Sequence, residues 1–152
     1  MSTTIDAVAT RLNELIETCK DGEEGYRLAA ETVKNADLKK MFSNLSMQRR
    51  QFAGELQDMV RALDAAPEQS GTTAGAMHRG WMRLRAALTH GEEKAILTEC
   101  ERGEEAAVAQ YQAALHDEGI AGELREMLEL QAMGVKGAYE QVCEVCRHFG
   151  GQ

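Results

Sequence analysis

Residues 4–34 read TIDAVATRLNELIETCKDGEEGYRLAAETVK, and their apolar spacing decides the fold. Ile5, Val8, Leu12, Leu15, Cys19, Gly22, Tyr26, Ala29 and Val33 recur in alternating steps of three and four. A helix with 3.6 residues per turn gathers such positions on one stripe, so the stretch predicts one long amphipathic helix. Thr3 and Asp6 are placed to cap its start, and Asn35-Ala36-Asp37 marks a tight corner after it. A second seam follows through Leu38, Phe42, Leu45, Arg49, Phe52, Leu56, Met59 and Leu63. Its one charged member is Arg49.

Working outward, residues 64–76 (DAAPEQSGTTAGA) hold the sole proline, Pro67, and a small polar run. They predict a crossover loop long enough to return the chain along the preceding helix, at about 3.3 Å per extended residue against 1.5 Å per helical one. Met77, Trp81, Leu84 and Leu88 form a short amphipathic helix over about 77–89. Thr89-His90-Gly91-Glu92 then reads as a break with a Thr89–Glu92 capping box. A third long helix carries Leu97, Cys100, Glu104, Ala107, Tyr111 and Ala114, and the spacing stops it at His116–Gly119 on a glycine C-cap. The last helix carries Leu124, Leu128, Gln131, Val135, Ala138, Val142, Val145 and Phe149. Four long helices, two short outer connections and one long middle connection predict a single all-α domain over 1–152, built as two helical hairpins with one short extra helix.

An internal repeat agrees with that plan. Cys19-Lys20-Asp21-Gly22-Glu23-Glu24 matches Cys100-Glu101-Arg102-Gly103-Glu104-Glu105 at an offset of 81, and Leu38, Met41 and Met47 match Leu124, Met127 and Met133 at an offset of 86. The offsets differ only across the connection inside each hairpin, so the hairpins are expected to be related by a pseudo-two-fold.

Composition bounds the partners. The 152 residues carry a formal charge of −8, which opposes binding to a phosphate backbone. Aromatics make up 5%, too few for a strand-rich domain. No apolar run approaches a membrane span, and the first residues lack a signal-peptide pattern, so a cytoplasmic protein is expected. Four cysteines in a domain of this size predict reduced thiols rather than a disulfide framework. The basic residues His78, Arg79, Arg83 and Arg85 cluster on the short helix, either as ordinary exposed charge or as a patch for an anionic partner.

Each seam has a polar interruption near its middle: Glu23, Arg49, Glu104 and Gln131. Hairpin arithmetic sets Arg49 opposite Glu23, and the repeat sets Glu104 at the level of Glu23. Gly22, Gly25, Gly103, Gly134 and Gly137 lie near that level. Glycine inside a helix costs about 0.5–1 kcal/mol against alanine, so these imply close helix approach or room for a long side chain. The expectation is an internal cluster of Arg49 with Glu23 and Glu104, since a guanidinium fork can serve two carboxylates. The alternative places the glutamates at the seam's edge, reaching water. Cys143 and Cys146 form a Cys-x-x-Cys pair that faces one way on a helix. It reads as packing, with a surface thiol pair as the rival; the second ligand pair of a zinc site and the strand of a thioredoxin motif are both missing.

The blocks DGEEGYRLAAE (21–31), MQRRQFAGEL (47–56), AGAMHRGWM (74–82) and CERGEEAAVAQY (100–111) resemble a bacterial ferritin-like family of four-helix-bundle proteins of unknown function, over about residues 5–148. The resemblance implies the ferritin-like fold. Metal-binding members of that superfamily carry one Glu on two helices and Glu-x-x-His on the other two. Glu23 and Glu104 match the single-glutamate positions. The other pattern falls on Phe42, Arg49 and Phe52 in the second helix and on Leu128, Val135 and Ala138 in the fourth, and Glu-x-x-His occurs nowhere in the chain. The expectation is therefore a non-catalytic bundle without a cofactor, acting through a protein partner or self-association, with an Arg/Glu cluster where a di-iron site would stand. Two alternatives stay open: an oxidoreductase or iron handler binding iron or another divalent metal at Glu23 and Glu104, and a thiol-based redox protein. A small-molecule ligand is not readable from the sequence.

Overall fold

The three-four seams close into five α-helices and no strand among the described residues of the computed structural model, which are 4–67 and 75–150. They are α1 (Thr4–Thr32), α2 (Ala36–Ala62), α3 (Gly75–His90), α4 (Glu93–Leu115) and α5 (Gly122–Gly150). The Thr3 end of the expected first cap and the side chains of Met77, His78, Arg79 and Trp81 lie outside what is described.

α1 packs along α2, and α4 along α5. Ser46 Oγ donates to the Glu23 carbonyl and Lys39 Nζ to the Ala30 carbonyl, so α1 and α2 are antiparallel. Lys94 Nζ meets the Cys146 carbonyl and Tyr111 meets Gln131, which gives α4 and α5 the same relation. The hairpins join through α1 against α4 and α2 against α5. Tyr26 reaches Glu104 while Cys19 reaches Tyr111, so α1 and α4 are also antiparallel. α2 and α4 therefore run the same way, and the chain between them must travel back along the molecule. Residues 68–74 of the expected crossover loop lie outside the described residues. α3 shares the return, lying against α1 and α4 and burying Ala87, with Leu84 and Leu88 partly buried.

Two of the expected helix ends differ. Thr89 does not cap α4; its hydroxyl donates to the Arg85 carbonyl within α3, the usual bond of a threonine inside a helix. Glu92 is the N-cap residue but makes no capping bond through its side chain. Gly91, at φ +71°, makes the corner instead, with its N–H on the Ala87 and Leu88 carbonyls. At the other end α4 closes on His116, and the left-handed residue is Gly122, at φ +64°, rather than Gly119. Arg125 holds that link, donating to the Leu115 carbonyl at 2.7 Å and the Ile120 carbonyl at 3.0 Å. The Asn35 corner behaves as expected: its side chain accepts from Leu38 N. Glu93 reaches across from α4 and accepts from Lys34 N and Asn35 N, both at 2.9 Å.

The apolar core forms two clusters along the helices. One gathers Leu12, Leu15, Ile16, Leu56, Tyr111 and Leu128 among others. The second, toward the α1–α2 corner, gathers Val33, Phe42, Leu45, Ile96, Leu97 and Val142 among others. Arg49 lies in sequence between Leu45 of one and Ala53 of the other, and Glu104 between Cys100 and Ala107.

The glycines of the middle level have different reasons. A Cβ on Gly134 would stand 2.9 Å from Phe52 Cζ, and one on Gly22 would stand 3.2 Å from both Cγ and Nη1 of Arg49. Gly103 and Gly137 meet nothing within 4 Å. Thermal melts should separate these cases. Gly137→Ala is expected to stabilise by about 0.5–1 kcal/mol through helix propensity. Gly22→Ala is expected to lower the melting temperature, because its methyl group presses on a buried guanidinium.

Candidate functional site

A charged pair is held dry in the middle of the molecule. Arg49 on α2 is 3% exposed and Glu104 on α4 is 1% exposed. Arg49 Nη2 donates to both carboxylate oxygens, at 2.5 and 2.8 Å. The pair spans the diagonal between α2 and α4 and so ties one hairpin to the other. Burial alone would drive the guanidinium toward its neutral form; the Glu104 carboxylate outweighs that and holds it firmly charged.

Tyr26 on α1 completes the group. Its hydroxyl donates to Glu104 Oε2 at 2.5 Å. Its ring stacks on Phe42, with centroids 5.9 Å apart, and Arg49 Cζ stands 5.8 Å from its centroid. Burial, and then the Glu104 charge, push the Tyr26 phenol well above its ordinary pKa. The third partner of the pair is thus a phenol and not the expected second acid. Glu23 is 26% exposed and lies 3.6 Å from Lys20 Nζ. The edge position holds for Glu23 and the internal position for Glu104. The physical reason is what packs beside each carboxylate. Tyr26 already fills the space beside Glu104, and Glu23, one turn earlier, reaches water more cheaply than a second dry carboxylate could be held. Glu23 Oε1 and Arg49 Nε are both buried without a hydrogen-bond partner, which also shows that these two groups do not close on each other.

Gln131 is buried, as the seam predicts, but belongs to a separate network. Tyr111 donates to its Oε1 at 2.6 Å, and its Nε2 donates to Glu55 Oε1 at 2.9 Å and to the Phe52 carbonyl at 3.3 Å. Cys19 Sγ lies 3.3 Å from the Tyr111 hydroxyl. Burial pushes the Cys19 thiol up to about 11 although the Tyr111 hydrogen bond pulls it down. Sequence reasoning missed Tyr26, Tyr111 and Glu55 as polar partners. The two tyrosines occupy apolar seam positions, and only the pairing of α1 with α4 shows where their hydroxyls end.

The thiols are four free cysteines. Cys146 is buried, with Lys94 Nζ 3.4 Å from its sulfur, whereas Cys143 is half-buried. Burial raises the Cys143 thiol against the pull of a Tyr139 hydrogen bond, so it lacks the lowered pKa of a reactive cysteine. Cys146 packs within the core cluster toward the α1–α2 corner, whereas Cys143 stays half-buried on α5 outside both clusters.

Beside the charged pair lies a cavity of about 270 Å³ between α1, α3 and α4. Gly22, Gly25 and Tyr26 of α1 face Gly103, Ala106 and Ala107 of α4 across it. Arg49 and Glu104 line it, and Asp21, Arg83, Glu99 and Arg102 stand at its charged side.

The donor set does not suit the metal pair that the ferritin-like resemblance implies. Two divalent ions need about four carboxylates and two neutral imidazoles. Here Arg49 occupies both oxygens of Glu104, and no group of three or more His, Cys, Asp or Glu among the described residues could hold a metal ion.

Removing one member of the pair should be severe. Arg49→Leu removes the cation that answers the buried Glu104 carboxyl, so equilibrium denaturation is expected to show a loss of about 3–5 kcal/mol, with much of it regained in Arg49→Leu/Glu104→Leu. Single and double variants of equal stability would contradict this. Alkaline titration gives a second measurement. The unfolded chain releases phenolic protons near pH 10, whereas Tyr26 and Tyr111 hold theirs in the native state. The native state then binds more protons, so stability falls as pH rises through and above about 10. Ultraviolet titration should show these two tyrosines ionising only together with a cooperative loss of helical circular dichroism.

Comparison with known proteins gives one family and no curated relative. A domain described as a domain of unknown function, DUF2383, matches residues 7–117. No curated protein matches the chain. The matched stretch runs from the first turn of α1 past the end of α4, and so includes Tyr26, Arg49, Glu104 and every described residue of the cavity. Since it covers most of the chain, the protein belongs to the DUF2383 family.

Proposed function

We propose that this protein is a ferritin-like four-helix bundle that carries out no metal chemistry and works through contacts with a protein partner or a second copy of itself, in a reducing compartment such as the cytoplasm. The observation that carries this reading is Arg49 Nη2 on both oxygens of Glu104 in a dry interior. In the ferritin-like arrangement an acid at that depth holds a cation; here a fixed guanidinium supplies the positive charge. The antiparallel order of α1 with α2, α1 with α4 and α4 with α5, together with the long return before α4, is the connectivity that such a fold requires.

Contact with a partner is supported by the surface. Met47, Leu130 and Met133 are large apolar side chains that stand 68%, 69% and 70% exposed. Met47 and Met133 are repeat equivalents, and each precedes a member of the Gln48–Gly134 hydrogen bond that joins α2 to α5. Met47 on α2 and Met133 on α5 thus sit next in sequence to the two ends of that inter-helix bond. No helix among the described residues is long and apolar enough to cross a membrane.

Metal analysis and light scattering test the two halves of the proposal. Protein incubated with ferrous, manganous or zinc ions and then desalted is expected to retain less than one ion per chain. Stoichiometric metal that is lost in Glu23→Ala would overturn the metal-free reading. A concentration-dependent increase in mass is expected, abolished by Met47→Glu/Met133→Glu. A strict monomer that also captures no partner from the native cytosol would overturn the contact reading.

A further inference from the structure

The cavity beside the charged pair has features that packing does not explain. Gly103 is exposed in the interior of α4, and a Cβ there would meet nothing within 4 Å. Its propensity cost is not offset by any close approach of another helix. Gly22 is explained by Arg49, but it too faces the open space. Leu84 and Cys100 complete walls that are mainly apolar. An apolar cavity of about 150 Å³ accepts a benzene ring, so one of about 270 Å³ has room for a ring and a short substituent.

Arg49 supplies a polar anchor. It lines this cavity and is 3% exposed, yet its Nε–H has no partner. A buried donor without an acceptor carries a desolvation cost that a ligand acceptor would remove. The charges select among acceptors. Glu104 already neutralises Arg49, and the described lining holds three cations (Arg49, Arg83, Arg102) against three acids (Asp21, Glu99, Glu104). A second anion beside Glu104 would share one guanidinium in a low-dielectric setting, whereas a neutral oxygen would not.

We propose that this cavity binds a small uncharged molecule with a compact apolar body, such as an aromatic ring, and one carbonyl-type oxygen that accepts the Nε–H of Arg49. Nε–H has no acceptor within the protein, while Nη2 stays engaged by Glu104, whose Oε2 also accepts from Tyr26. The site is independent of the surface-contact reading, since Met47 and Met133 do not line it.

Three probes of similar size distinguish the chemistry: acetophenone, ethylbenzene and benzoate. The readout is the Arg49 Nε–H cross-peak in nitrogen-15 NMR spectra, assigned by its absence in Arg49→Lys, together with thermal shift. Acetophenone is expected to bind saturably, move that cross-peak and raise the melting temperature. Ethylbenzene and benzoate are expected to bind more weakly. Gly103→Leu and Ala106→Leu, each checked for native helicity by circular dichroism, are expected to weaken acetophenone binding about tenfold or more by filling the space. Three results would overturn the proposal: no saturable binding of any probe, binding of ethylbenzene or benzoate equal to or tighter than acetophenone, or binding unchanged in both filled variants.

Discussion

A single guanidinium–carboxylate contact sets the terms for the rest of this molecule. Arg49 and Glu104 belong to different hairpins, and each is nearly fully withdrawn from water. Taking two such charges out of solvent costs several kcal/mol apiece, and only close geometry with further hydrogen bonds returns that cost. The surroundings meet that demand. Tyr26 gives Glu104 a second donor and lays its ring beside the guanidinium. Gly22 gives up its side chain so that the Arg49 stem can pass. The apolar clusters on either side exclude water. A slip of either hairpin by one turn would part the two charges and leave both uncompensated. The pair thus specifies how the hairpins register, whatever it adds to net stability.

The contact also breaks the symmetry that the sequence repeat implies. Glu23 and Glu104 are equivalent by the offset of 81, yet one reaches the surface and the other is sealed. Tyr26 is matched by Ala107, and Arg49 is matched by Val135. One half of the pseudo-two-fold therefore holds a phenol and a guanidinium, and the other holds small apolar groups. The cavity opens where these unequal halves meet, lined by Tyr26 on one helix and Ala106 and Ala107 on the other. A symmetric four-acid centre would have kept both halves alike. The second network, from Cys19 through Tyr111 and Gln131 to Glu55, shares no hydrogen bond with the pair, although Cys19 and Tyr111 stand near enough to feel the Arg49 charge.

Much of the architecture was legible because it rests on periodicity. Apolar steps of three and four define a helix stripe whatever the neighbours are, so the extents of α1, α2, α4 and α5 and the depth of Arg49, Glu104 and Gln131 could be read from one chain. Capping was less legible. Thr89 and Glu92 had the spacing of a capping box, but the backbone turned at Gly91, and the threonine bonded back into its own helix. A short polar side chain has several local partners of similar energy, and backbone geometry chooses among them.

What the sequence determined by itself is the set of helices, the antiparallel pairing imposed by the short links, and the presence of a buried cation that needs an acid. Those follow from local spacing and from the cost of an unpaired charge. Only the tertiary structure decided which acid answers Arg49, because Glu23 and Glu104 are alike in type and level and differ in what packs beside them. It also decided that Tyr26 and Tyr111 point their hydroxyls at charged and polar partners, and that an open space remains between α1, α3 and α4. Such outcomes depend on the reach of side chains from two or three helices at once, and no spacing within one helix encodes that distance.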